Sequence, residues 1–285
     1  LNWGTSLQTW EPGFVVVNIV ASQLGAGIWL VNLICGAIFV YGLLQLARLQ
    51  PNAWLAILVA VPYLVIVVGM GYTRQAVAIG CCMAGLAATP RGSLLTVMIW
   101  IIVGTLFHRT AVVILPLVLF AFARSVFQIA LLALFTAVVA YYALGADLDR
   151  FETLYVEQLY VAQGALFRIL MNLPPAILFL SLARRFSSST VERWIWRTFS
   201  IAAVASAVAW FYIESNVALD RLALYLIPLQ IFVFARLPNV ISRGPVGSGG
   251  AKALIIFYSL AVQLLWFNFA GHAQYWIPYQ IAAPT

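Results

Sequence analysis

A succession of long apolar stretches constrains this chain more than any other feature of its sequence. The stretches are rich in Leu, Val, Ile and Ala, and only 8% of the residues are charged, whereas soluble domains carry about a quarter. Polar and apolar residues do not alternate at every second position, which favours membrane-spanning helices over a membrane β-barrel. The sequence therefore predicts an all-α polytopic membrane protein, with residues 1–285 forming a single membrane domain.

The apolar stretches predict about ten transmembrane or re-entrant helices. Several are shorter than the roughly 20 residues that a perpendicular span needs. Residues 53–89 and 93–123 therefore form either one kinked helix each or a re-entrant hairpin of two helices each. The predicted segments are 26–47, 53–70, 72–89, 93–107, 109–123, 126–145, 165–183, 194–213, 219–237 and 251–270.

The charges in the loops favour the hairpins over the kinked helices. If every segment crosses once, most basic loops share one side, which the positive-inside rule assigns to the cytoplasm. Merging either pair into one crossing would place basic loops on both faces. Most acidic residues then lie on the opposite, outer face, together with five arginines. The cytoplasmic residues are Arg48, Arg91, Arg124, Arg184, Arg185, Arg193, Arg197, Arg236, Arg243 and Lys252; the outer arginines are Arg74, Arg109, Arg150, Arg168 and Arg221.

Two outer segments are expected to lie along the membrane surface. Residues 1–25 contain tryptophans typical of the interface, and residues 146–164 carry apolar side chains at helical spacing with glutamates off that face. Because the chain does not begin with Met, we expect a longer protein with an additional N-terminal helix.

Two short polar stretches interrupt the apolar sequence, at 72–75 (Tyr-Thr-Arg-Gln) and 107–110 (Phe-His-Arg-Thr). A charged side chain within the bilayer costs upward of about 2.5 kcal/mol unless it faces a cavity or a partner. Arginine presents a planar fork that suits phosphate, so outer arginines indicate an anionic ligand. Arg74 alternatively reaches lipid headgroups or pairs with Glu11, and His108 is either a catalyst or a hydrogen-bonded structural residue.

A second polar group begins the segment 219–237. Arg221 and Tyr225 share a helix face, whereas Asp220 and Arg221 alternatively form a simple interfacial pair. Arg168 and Asn172 have the same four-residue spacing. The basic residues are scattered among short loops, which argues against nucleic acid. No cluster of His, Cys or carboxylates has metal-ligand spacing and no phosphate-binding Gly-rich loop occurs, so we expect no metal and no cofactor.

The order and spacing of several short motifs resemble the EpsG family of bacterial exopolysaccharide polymerases, which are Wzy-like proteins. The motifs are Glu-Pro-Gly-Phe at 11–14 followed by Asn18, Tyr-Thr-Arg-Gln-Ala-Val-Ala at 72–78, Leu-Phe-His-Arg-Thr-Ala at 106–111, and Arg221 with Tyr225. The resemblance covers most of the chain. Family members usually begin with a further helix and an outer Asp-Tyr segment, which are absent here.

The resemblance implies the membrane glycosyltransferase architecture called GT-C and a polymerase of lipid-linked oligosaccharides. The donor would be a growing glycan on undecaprenyl diphosphate, and the acceptor a lipid-linked repeat unit. Both would be presented at the periplasmic face of the bacterial inner membrane. Besides membrane lipid, a chain-length regulator and a flippase of the same pathway are the implied partners.

The implied site has two tasks, which are to accept the proton of the acceptor hydroxyl and to stabilise the departing diphosphate. We assign the diphosphate first to Arg74, and His108 is either the base or a positioning group. Glu11 is the rival base, or else it holds Arg74 in place. The predicted substrate-binding residues are Gln75, Tyr72, Arg109, Arg168, Arg221, Tyr225 and Asp220.

Two other functions would use a similar outer face. A transporter or flippase of lipid-linked oligosaccharides would also need a cationic cavity, but polar residues should continue through its midplane. Another GT-C-type glycosyltransferase or ligase would share the leaving-group chemistry but not the motif order. A purely structural membrane protein would leave the outer arginines unexplained.

Overall fold

The fold is built from helices. A computed structural model describes residues 11–123, 125–144, 164–212, 217–241, 245–271 and 273–275, and no strand occurs in these ranges. The first ten residues and nearly all of the predicted surface segment 146–164 lie outside the described residues.

The first half of the chain folds into short and medium helices. Pro62, which lacks a backbone N–H, lies where one α-helix continues as a π-helix. The helices are α1 Pro12–Gln23, α2 Gly27–Arg48, α3 Ala53–Ala60 with its π-helical continuation Val61–Gly69, α4 Thr73–Ala88, α5 Leu94–Phe107, the 3₁₀-helix Arg109–Val113, α6 Ile114–Leu119 and α7 Val126–Leu144.

The second half contains longer helical units. Short breaks divide two of these units: Pro228 begins a new helix directly after Ile227, and Pro174 lies in the first turn of another. The helices are α8 Ala165–Leu170, α9 Leu173–Leu182, α10 Thr190–Ala209, α11 Val217–Leu226, α12 Pro228–Ile241 and α13 Pro245–Phe269.

Four helical units in the described part of the chain are long and apolar enough to cross a membrane. They are Gly27–Arg48, Ala165–Arg185, Leu219–Ile241 and Ser248–Phe269, and they match the predicted segments 26–47, 165–183, 219–237 and 251–270. Shorter apolar helices cover other predicted segments, including Ala53–Gly69 and Leu94–Phe107. The protein is thus a helical membrane protein, and the number of about ten crossings stays a prediction.

Close backbone contacts bury α4 between α2 and α5. Every residue of α4 from Gln75 to Ala88 is buried. Gly42 of α2 faces Gly80 of α4, and a Cβ added at Gly80 would lie 2.6 Å from the backbone of Phe39. Small residues allow this approach, which is how membrane helices without a hydrophobic driving force associate. The packing sets the polar first turn of α4 beside the end of α5.

A cluster of buried polar residues lies at the opposite end of the bundle from the first turn of α4. The Arg236 guanidinium donates through Nε to Gln50 Oε1 at 2.8 Å and lies 3.7 Å from Glu192 Oε1. Arg236 and Arg221 are separated by about 22 Å along the helical unit, taking 1.5 Å per residue. Arg236 and Arg221 therefore lie at opposite ends of one span, which agrees with the sorting of charges predicted for the loops.

Candidate active site

Glu11 joins the two polar stretches of the sequence. It precedes Pro12, the first residue of α1, and its backbone is extended (φ −64°, ψ 112°). One carboxylate oxygen, Oε2, accepts a hydrogen bond from Arg74 Nη1. The other, Oε1, lies 2.8 Å from Nδ1 of His108. The polar stretches at 72–75 and 107–110 therefore meet, and Glu11 rather than a direct contact between them connects their cation and imidazole.

Each residue of the motif Glu-Pro-Gly-Phe contributes to the placement of Glu11 beside Arg74 and His108. A Cβ at Gly13 would lie 3.1 Å from the carbonyl oxygen of Leu106, so Gly13 lets α1 approach the end of α5 closely. The ring of Phe14 lies 5.8 Å below the Arg74 guanidinium, a cation–π distance. Pro12 provides a helix-compatible φ at the first position. The motif therefore seats α1 so that its preceding carboxylate faces Arg74 and His108.

His108 lies where α5 ends and the 3₁₀-helix begins, with an extended backbone (φ −154°, ψ 112°). A carboxylate only accepts hydrogen bonds, so in a neutral imidazole Nδ1 carries the proton and Nε2 carries the lone pair. Nε2 is buried and has no hydrogen-bond partner among the described residues. In this tautomer Nε2 of His108 can accept a proton, while Glu11 binds the opposite ring nitrogen, Nδ1.

The electrostatics of Glu11 favour its ionised form. Burial works to raise the pKa of the carboxyl, but the hydrogen bond and charge of His108 and then Arg74 outweigh it. The net pKa of Glu11 is lowered from its ordinary value. Since Glu11 is 8% exposed and both oxygens are bonded, its geometry suits a residue that orients two others more than one that takes a proton itself.

Arg221 is a second cation held against the first turn of α4. Its Nη1 donates to Gln75 Oε1 at 3.2 Å, and its guanidinium lies 5.8 Å from the ring centre of Tyr72. Gln75 directly follows Arg74 in the first turn of α4, so the two groups share that turn. Tyr225, one turn after Arg221, has a buried hydroxyl that accepts a hydrogen bond from Thr110 at 3.3 Å.

Arg168 and Asp220 bind each other within the bundle. Arg168 Nε donates to Asp220 Oδ1, and Arg168 Nη1 donates to the hydroxyl of Tyr63 at 3.1 Å. Asn172 donates to the backbone carbonyls of Arg168 and Ala223. These contacts tie α8 to α11 and favour a structural role for Arg168 and Asp220 over the predicted contact with substrate.

Arg109 is a predicted site residue, whereas Thr110 and Tyr63 are not. Arg109 is half-buried at the start of the 3₁₀-helix, and its contact with substrate stays a prediction. Thr110 lies within the polar stretch at 107–110, which is the signal that points to it. Tyr63 has no such signal, because it lies within an apolar run. Among the described residues, no group of three or more His, Cys, Asp or Glu is placed to hold a metal ion.

Comparison with known proteins agrees with the motifs. No curated protein and no solved structure matches the chain. The model of the EpsG family matches residues 2–281, nearly the whole sequence. Together with the convergence of the motifs at 11–14, 72–75 and 107–110 in one cluster, this match shows that the chain belongs to the EpsG family.

Proposed function

We propose that the protein is an exopolysaccharide polymerase with GT-C-like architecture in the bacterial inner membrane. It transfers a growing glycan from undecaprenyl diphosphate to a lipid-linked repeat unit at the periplasmic face. The family supports a membrane polymerase. The observation that carries the proposal is the shared contact of Glu11 with Arg74 and His108, which sets a proton acceptor beside a cation at one end of the bundle.

His108 is the base in the proposed reaction. Its Nε2 takes the proton of the acceptor hydroxyl as that oxygen bonds to the anomeric carbon of the donor sugar. The bond from this carbon to the diphosphate breaks, and the electron pair leaves on the diphosphate oxygen. Glu11 remains ionised and stabilises the imidazolium through Nδ1, as the buried carboxylate does in a catalytic triad.

The guanidinium groups supply the charge that the leaving diphosphate needs. Arg74 lies at the start of α4 with 41% of its side chain exposed, so a phosphate near it also meets the positive end of a helix. Arg221 is hydrogen-bonded to Gln75, the residue that follows Arg74. Because arginines rather than a metal ion carry this charge in the proposal, elongation should proceed in a chelator.

The test is elongation by the purified protein. Lipid-linked repeat units are incubated with it in a chelator, and the products are separated as a ladder. We expect His108→Ala to lower the rate by at least roughly 100-fold, the contribution of a general base. Arg74→Ala should lower it by roughly 100-fold as well, and in cells both variants should accumulate single repeat units.

Arg91→Ala is the matched control, because Arg91 is exposed at the end of α4 opposite to Arg74. It should elongate as the unchanged protein does. Normal ladders from both Arg74→Ala and His108→Ala would contradict the proposed chemistry.

A flippase is the competing function, since polar side chains do occur inside the bundle. Asn172 Oδ1 accepts from Gln230 Nε2 at 3.0 Å, and the Tyr258 hydroxyl lies 3.1 Å from Gln230 Oε1. These groups hydrogen-bond to each other and hold α9, α12 and α13 together, which favours a structural role. In sealed vesicles, movement of lipid-linked units across the membrane without a ladder would identify the flippase instead.

A further inference from the structure

Gln75 and Arg221 bind each other at both polar atoms of the Gln75 amide. Oε1 accepts from Arg221 Nη1 at 3.2 Å, and Nε2 donates to the backbone carbonyl of Arg221 at 3.1 Å. The two residues are 146 positions apart in the sequence. Gln75 is 2% exposed. The amide therefore fixes the guanidinium and the start of α11 against the first turn of α4.

The partners of Arg221 differ in charge from those of three other arginines. Arg74 faces Glu11, Arg168 faces Asp220, and Arg236 faces Glu192. In the described part of the chain, Arg221 makes no ion pair within 4 Å; its guanidinium is held by the neutral Gln75 amide and the ring of Tyr72. The preceding residue, Asp220, interacts electrostatically with Arg221 but is bound to Arg168. The Arg221 guanidinium therefore has no carboxylate bonded to it and can bind an anion.

We propose that Gln75 is a positioning residue that presents Arg221 as a ligand of the donor's diphosphate. This assignment rests on the proposed function. It differs from a substrate contact by Gln75 itself, because both polar atoms of the amide are already bound to Arg221. A glutamine can do this where a glutamate cannot, since an ionised carboxylate would neutralise the guanidinium and could not donate to the Arg221 carbonyl.

The test measures binding of undecaprenyl diphosphate to the purified protein in detergent. Arg221→Ala and Gln75→Leu should each weaken binding by roughly tenfold, the scale of a hydrogen bond to a charged group. The double variant should bind no more weakly than Arg221→Ala alone, because Gln75 acts through Arg221. Gln75→Glu should also bind weakly. In elongation assays Gln75→Leu should raise the KM for the donor and leave the KM for the acceptor unchanged.

Gln50→Leu is the matched control for a purely structural effect. Gln50 is also a buried glutamine whose Oε1 accepts from an arginine, Arg236, but it lies at the opposite end of the bundle. It should lower the melting temperature and leave diphosphate binding unchanged.

Three outcomes would overturn the assignment in distinguishable ways. If Gln75→Leu lowers the melting temperature as Gln50→Leu does but binds the diphosphate normally, Gln75 is a structural tie between helices. If the losses in the double variant add, Gln75 acts independently of Arg221. If the unchanged protein does not bind undecaprenyl diphosphate, the proposed function fails together with this inference.

Discussion

The carboxylate of Glu11 is the shared partner of two residues of the candidate site. Its two oxygens bind an arginine and a histidine that are 63 and 97 positions away in the sequence. Without it, the Arg74 charge and the proton on His108 Nδ1 would have no common acceptor. Glu11 therefore holds Arg74 in place and sets which nitrogen of a neutral His108 carries the proton.

Replacing Glu11 by Gln should break one of its two contacts, with Arg74 or with His108. The Gln side chain keeps one acceptor, but its NH₂ group must face either Arg74 or Nδ1 of His108, and both are donors. We expect elongation to fall by at least roughly tenfold and the free energy of unfolding by about 2 kcal/mol, the scale of a lost hydrogen bond to charged groups.

The stability difference should depend on pH with a defined sign. In the folded protein, burial works to raise the pKa of Glu11, but His108 and Arg74 outweigh this effect. The net pKa is therefore lowered. Its stabilisation is therefore complete above the ordinary value of 4.5 and is lost as the pH falls through the folded value. Melting curves of Glu11→Gln and the unchanged protein should converge below that pH. A difference that grows in acid would contradict this assignment.

At the scale of elements, glycine contacts decide where α4 lies. Gly42 and Gly80 allow the backbones of α2 and α4 to touch, and Gly104 brings α5 to within contact of Ala78. This packing explains how a 16-residue helix with Arg74 and Gln75 in its first turn can be buried almost throughout. The polar turn then lies near His108, to which Glu11 links it.

Two glycines on α2 offer a matched test of this packing. A Cβ at Gly42 would overlap the carbonyl group of Gly80, whereas a Cβ at Gly36 would meet nothing within 4 Å. Gly42→Ala should lower the free energy of unfolding by about 1–3 kcal/mol, because backbone atoms cannot move aside as a side chain can. Gly36→Ala should leave it unchanged or raise it by up to about 1 kcal/mol.

Thermal unfolding in detergent measures both changes, and elongation per folded molecule should also fall for Gly42→Ala. Equal melting temperatures for the two variants would show that the helix contact does not limit stability.

At the scale of the whole molecule, two polar clusters lie at opposite ends of the bundle. One contains Glu11, Arg74 and Arg221, and the other contains Arg236 and Glu192. Their separation by the length of a span agrees with charges sorted between two membrane faces. We propose that the cluster around Glu11 faces the periplasm, as the basic loops at the other end predict.

Labelling of single introduced cysteines tests this orientation. The native residues Cys35, Cys81 and Cys82 are all buried, so exposed introduced thiols should react selectively. Gln23→Cys, at the exposed end of α1, should react in intact cells with a maleimide that does not cross the inner membrane. Arg91→Cys, which is exposed after α4, should react only after permeabilisation. The reverse pattern would place the proposed site in the cytoplasm.

The helical membrane class, most helix boundaries and the polar stretches of the candidate site could be predicted from the amino-acid sequence. These follow from local properties, because apolar length and charge spacing act within one segment. The sequence also raised the pairing of Arg74 with Glu11 as an alternative to a phosphate contact. It predicted that Arg168 and Asp220 contact substrate and did not pair them with each other.

Which polar side chains share partners depends on how the helices pack in three dimensions. Arg168 and Asp220 bind each other across 52 positions, and Gln75 binds Arg221 across 146. Such pairs depend on how each helix is rotated and how closely its neighbours approach, which here depends on contacts such as Gly42 with Gly80. The rotation and spacing of helices cannot be read from a single segment. The shared contact of Arg74 and His108 with Glu11 therefore forms only when the helices are packed together.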